Sequence, residues 1–89
     1  MKDITIELRD MDSADEFYKR LDEQFPLPAY FGYNLDALHD VFTEYSGELR
    51  ISFTGADDAA ALMPKFIRGL KRMCADAMEE NNSLEFEFI

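Results

Sequence analysis

The chain has 89 residues, with 19 acids against 9 bases (net charge −10), 47% hydrophobic residues and one cysteine. That length supports one domain with a modest core, and the apolar share separates it from an acidic disordered tail. The acidity weighs against nucleic acid as a direct partner, because phosphate neutralisation drives such binding, and favours either simple solubility or a basic partner steered by the field.

Ile4, Ile6 and Leu8 alternate with Asp3, Thr5 and Glu7, which predicts a strand with one buried face. No signal-peptide apolar region precedes it, and no run later in the chain reaches the length of a membrane span. Ser13-Ala-Asp-Glu16 predicts a capping box. It opens a helix to about Gln24 that buries Phe17, Leu21 and Tyr18 or Phe25, and Pro26 stops it. A loop then leads to a second helix behind Asn34, ending near Ser46-Gly47, where glycine suits a left-handed cap. Leu49, Ile51 and Phe53 alternate with Arg50 and Ser52 as a second strand. Thr54 is the expected cap of a short alanine-rich helix, Gly55 to Leu62, with Asp57 and Asp58 in its first turn. Pro64 suits the start of a fourth helix, with Phe66, Ile67, Leu70, Met73, Cys74, Ala77 and Met78 as its buried stripe. Gly69 weakens that helix mildly. Asn81-Asn82 makes a turn, and Leu84, Phe86 and Phe88 alternate with Glu85 and Glu87 as a third strand.

Strands separated by helices imply right-handed parallel crossovers. Buried parallel strands read as continuous apolar runs, whereas these alternate, so one sheet face should be wet. The expected fold is α/β and two-layered: a three-stranded parallel sheet in the order 1-2-3, with about four helices packed on one face, in a single domain over residues 1–89. Arg50 should lie on the wet face between Glu7 and Glu85 or Glu87. Cys74 cannot pair within the chain and sits on an apolar stripe, which suits a reducing cytoplasm.

The charge is segregated. No Lys or Arg falls between Leu21 and Leu49, while Asp22, Glu23, Asp36, Asp40, Glu44 and Glu48 do; after Arg72 only acids follow. Lys65, Arg68, Lys71 and Arg72 crowd into one short segment. Such segregation suits a directed partner better than uniform solubilising charge.

The most informative stretch is Leu27-Pro-Ala-Tyr-Phe-Gly-Tyr-Asn-Leu-Asp-Ala-Leu-His-Asp-Val-Phe-Thr-Glu-Tyr45. Pro26 and Pro28 push the residues before them towards extended conformations. Gly32, among Tyr30, Phe31 and Tyr33, is expected to supply a turn conformation closed to the aromatics. Asn34 reads as an N-cap, and Leu35, Leu38, Val41, Phe42 and Tyr45 form one apolar stripe. Asp36, Asp40 and Thr43 lie opposite, with His39 beside them. Alone, that pair of acids would be an ordinary solvated face; reached through a glycine-centred aromatic loop, it reads as a contact surface.

Catalysis has little support. His39 is the only histidine and Cys74 belongs to the core stripe, so a transition-metal site lacks ligands. The acids lie on a helix and not on a loop that could wrap a hard cation. There is no phosphate-binding glycine loop and no nucleophile beside a base. Neither a catalytic residue, nor a metal, nor a cofactor is expected.

The stretch LPAYFGYNLDALHDVFTEY resembles the loop and second helix of the barstar family, intracellular inhibitors of the secreted ribonuclease barnase. The resemblance implies a small parallel sheet covered by helices, and a cytoplasmic inhibitor that blocks a ribonuclease's cationic active site, with a barnase-type extracellular ribonuclease as partner. It places Asp40 in the phosphate site, Asp36 against the basic rim and Tyr30 on the histidine-bearing wall. Gly32 would allow close backbone approach, Asn34 and Thr43 would make flanking contacts, and Phe31 and Tyr45 would support or border the patch. Asp76 or Glu80 of the fourth helix would extend the acidic surface. His39 stands where the family pattern has tryptophan, Phe31 where it has a second tyrosine and Tyr33 where it has glutamate, which puts the identity of the partner in question. A barstar-shaped module for another basic protein or toxin domain is the alternative. Neither nucleic acid nor membrane is an expected partner, and the free protein is expected to be a monomer.

Overall fold

The strand–helix alternation of the sequence is that of the structure, a computed structural model describing residues 1–89. In chain order the elements are β1 (Lys2–Glu7), α1 (Ala14–Gln24), α2 (Leu35–Thr43), β2 (Leu49–Thr54), α3 (Ala56–Leu62), α4 (Pro64–Glu80) and β3 (Leu84–Phe88). The strands form one open parallel sheet in the order β1-β2-β3, with Ile51 facing Ile4 on one side and Phe86 on the other. Ile4, Ile6, Leu49, Ile51, Phe53, Leu84 and Phe86 are buried, while the residues between them are more exposed. The period of two thus becomes a sheet with one covered face.

The helices supply the other half of the core. Phe17, Tyr18 and Leu21 of α1, Leu38 and Phe42 of α2, and Ile67, Leu70, Met73, Cys74 and Ala77 of α4 join the sheet residues in a single buried cluster. Both Tyr18 and Phe25, offered as alternatives by the sequence, are buried. Each large side chain so buried contributes about 1.5–3 kcal/mol of transfer free energy. Pro64 is the first residue of α4, as its missing N–H allows.

Four local expectations are corrected. The α2 helix stops at Thr43, because Asn81 reaches over from the end of α4 and takes its last carbonyls; Gly47, at φ 113°, turns the chain into β2 instead. Thr54 ends β2 and donates its hydroxyl to Glu7 Oε2 at 3.0 Å, leaving Gly55 at φ 72° in the N-cap position of α3 with no side chain to cap it. Only half of the capping box forms: Glu16 N–H donates to Ser13 Oγ, but the Glu16 carboxylate is taken by Arg20 at 3.0 Å. Finally, Arg50 lies between Glu85 (3.2 Å) and Asp3 (3.8 Å), since the register sets Asp3 and not Glu7 opposite it.

The outer edge of β1 is not bare. Arg20 Nη1 donates to the carbonyls of Glu7 and Arg9, and Gln24 Nε2 to that of Thr5, all at 2.7 Å.

Burial also sets an alkaline limit. Desolvation pushes the Tyr18 phenol up to about 12 from 10 and the Cys74 thiol up to about 12 from 9. Both are acids whose neutral form the fold prefers, so their contribution is complete below the unfolded values and is lost as pH rises from about 9 towards 12. Thermal melts should therefore fall across that interval, and Tyr18→Phe should flatten the decline above pH 10. An unchanged slope in that variant would count against this origin.

Candidate functional site

The loop before α2 is ordered by its own aromatics. Phe31 N–H donates to Pro28 O at 3.0 Å, closing a turn. Phe31 then points inward, 7% exposed, edge-on to Tyr18 (5.4 Å) and Tyr33 (5.2 Å). Tyr30, its neighbour, points outward and is 88% exposed. The left-handed residue of the loop is Tyr33, at φ 52°, and not Gly32. Gly32 sits at a tight spot: a methyl there would lie 3.3 Å from Asn34 Nδ2, which donates to Gly32 O and would have to shift by a few tenths of an ångström. The same Asn34 caps α2, its Oδ1 accepting from Ala37 N–H at 2.7 Å. One side chain thus locks loop to helix.

On α2 the carboxylates of Asp36 and Asp40 face solvent, Asp40 with 74% of its side chain exposed. Neither is paired with a Lys or Arg; those ion pairs all involve Arg9, Arg20 and Arg50. Asp40 and Glu44 rim an open hollow whose walls are Pro28, Tyr30, Val41 and Tyr45. Tyr45 is half-buried against Phe25, 5.4 Å between centroids. The Thr43 hydroxyl turns back to donate to His39 O at 2.9 Å.

His39 lies at the seam between α2 and α4. It is 26% exposed, with Nδ1 3.5 Å from Asp40 Oδ1 and Nε2 in contact with Glu80 Oε2. Asp76 lines the adjoining groove with Asp36, His39, Gly69 and Arg72. The structure therefore gathers Tyr30, Gly32, Asp40 and Tyr45 around one hollow, sets Asp36, His39, Asp76 and Glu80 along the seam, keeps Asn34 and Thr43 as local braces, and places Phe31 beneath. Close packing of the two helices explains Gly69, where a methyl would meet Leu35 Cδ1 at 3.1 Å.

Sequence reasoning missed Asn81. Its Nδ2 lies 3.4 Å from the carbonyls of Phe42, Thr43 and Tyr45, and its Oδ1 accepts from Ser83 N–H at 2.9 Å. No local signal marks it, because the carbonyls it serves lie 36 to 39 residues earlier in the chain. Asn81→Ala should cost about 0.5–1.5 kcal/mol in urea unfolding, as part-buried carbonyls lose their partner; a loss below a few tenths would show that water replaces the amide freely.

A two-layer α/β domain with an open acidic face, edged by an exposed tyrosine and braced from behind, is the class these features define. The chain belongs to the barstar family: the family model described as barstar (barnase inhibitor) matches residues 1–89. At family level it is a barnase-inhibitor-like protein, in a family of inhibitors and not of enzymes. A comparison with curated proteins returned no match.

Proposed function

We propose that this protein inhibits a microbial ribonuclease by laying the α2 face across its active site. The observation that carries the reading is the pair Asp36 and Asp40: exposed, unpaired by any Lys or Arg, and mounted on a helix whose start and end are both capped. A ribonuclease must hold an anionic phosphate, so its cleft is cationic, and a rigid carboxylate can take the phosphate's place without the entropy cost of ordering a loop. Asp40 enters the phosphate site, Asp36 pairs with the rim, and the exposed ring of Tyr30 packs on the cleft wall. The chain works as a monomer in the cytoplasm, where a net charge of −10 speeds encounter with a basic enzyme. Purified protein should suppress cleavage by at least one of a panel of microbial guanyl-preferring ribonucleases at one-to-one stoichiometry, and the Asp36/Asp40 double alanine variant should not.

The seam histidine favours a second reading for the partner. His39 between Asp40 and Glu80 is a departure from the family pattern in the middle of the face, and it suits a basic protein or toxin domain other than a barnase-type enzyme. The ring is faced by Asp40 on its own helix, by Glu80 on α4, and across the groove by Asp36, Asp76 and Arg72. His39→Gln should therefore change which basic proteins the face accepts; an unchanged pattern of inhibition across the panel would remove the idea.

A further inference from the structure

Helix α4 carries three cations that form no ion pair within the folded chain. Lys65, Arg68 and Arg72 fall at i, i+3 and i+7, on one exposed stripe. They line a shallow hollow with Gly69 and no acid. Acids outnumber bases 19 to 9, and Arg9, Arg20 and Arg50 all hold carboxylates; yet Arg68 and Arg72, the remaining arginines, and Lys65 hold none. The stripe also opposes the helix dipole: Lys65 is in the first turn, Glu79 and Glu80 are in the last, and the first turn has no acid and the last no base. Charges so placed cost α4 stability instead of adding to it. Lys71, by contrast, lies over the Phe88 ring at 5.5 Å, away from the stripe.

Position supplies the rest. Leu35, at the start of α2, touches Gly69, while the end of α2 meets Asn81, so the two helices run alongside each other in the same direction. Residues 64–68 project past the start of α2, and Arg72 shares its groove with Asp36 and Asp76. The surface is continuous and two-signed, positive from Lys65 to Arg72 and negative from Asp36 to Glu44 and Glu80.

We infer that Lys65, Arg68 and Arg72 form the second half of the partner-binding surface and receive a patch of carboxylates that flanks the partner's cationic cleft. This rests on the proposed inhibition of a ribonuclease and says more about that enzyme: its cleft is bordered by acids on the side facing the start of α2. The stripe fixes the orientation of docking and rejects enzymes whose whole face is basic, because like charges set opposite one another are penalised.

The test uses a ribonuclease from the panel that the wild-type protein inhibits, and compares Asp40→Ala with the double reversal Lys65→Glu/Arg68→Glu at low and high salt. The inference expects the reversal to weaken inhibition at least tenfold at low salt, and the loss to shrink at high salt as screening shortens the field. It also expects the free reversed protein to melt at or above the wild-type temperature. If Asp40→Ala abolishes inhibition while the reversal leaves it unchanged or improved, the inference is overturned and the ribonuclease reading stands. A reversed protein that melts several degrees lower assigns the stripe a structural role and also overturns it. If no enzyme of the panel is inhibited, both readings fall together.

Discussion

Replacing Asp40 with alanine is expected to weaken inhibition by about 2–5 kcal/mol, roughly 30- to 4,000-fold, while leaving the melting temperature where it was. That range for a buried charge pair broken on one side draws partly on a barstar complex, so it applies here by family analogy. The physical reasons are local. The Asp40 carboxylate is exposed and its one close polar contact is the His39 ring at 3.5 Å, so the free protein loses little when the carboxylate goes. In the complex, by contrast, the partner's cations would be left desolvated without a counter-charge, and that stranded charge accounts for much of the loss. Glu48, in the turn before β2, is the comparison: as a rim acid it should cost under about 1 kcal/mol, mainly through a slower on-rate. Equal losses at Asp40 and Glu48, read by titrating inhibition of the same enzyme, would refute the phosphate-mimic mechanism.

The opposite face of the same helix should respond the other way. Phe42 is fully buried, with its ring 4.9 Å from Phe86 and 5.8 Å from Phe25. It therefore joins α2 both to the sheet and to the end of α1. Phe42→Ala should destabilise by about 3–5 kcal/mol, the usual cost of removing a core phenylalanine and leaving a cavity. A domain of this size has about 5–15 kcal/mol in total and moves about 4–8 °C per kcal/mol, so the melt should drop by tens of degrees. Inhibition would fail only because the folded fraction falls, and should recover on cooling or at higher protein concentration. A Phe42→Ala protein that melts within a few degrees of wild type would mean that this part of the core collapses around the gap.

The two variants also mark what the sequence could and could not reveal. The period-two runs around Ile4, Ile51 and Phe86 were legible because each strand is buried on one face, and alternation is the direct record of that. The stripes of α1 and α4, the start of α2 at Asn34 and the proline at the head of α4 were legible for the same reason: each depends on residues within a few positions. What escaped depends on contacts between elements. Gly32 and Tyr33 show this at the site itself. The glycine was the obvious candidate for the left-handed turn, but tyrosine takes it, held by Phe31 and Tyr18, while glycine answers a steric demand set by Asn34. The end of α2 was misplaced because its donor lies 38 residues further along at Asn81. Thr54 was assigned to a cap because its demand from Glu7 is visible only once β1 and β2 are paired. Of the face itself, the exposure of Asp36 and Asp40 follows from helical spacing, but the bridge from His39 to Glu80 needed the α2–α4 crossing.

The side chains along β1 have one further consequence. With Arg20 and Gln24 already occupying the outward carbonyls of Thr5, Glu7 and Arg9, a foreign strand would have to displace three hydrogen bonds to pair with that flank. On the opposite flank β3 is only five residues long, and its Glu85 and Glu87 are tied back to Arg50 and Ser52 of β2. An open parallel sheet with one flank already bonded and the other short offers a second copy little to pair with.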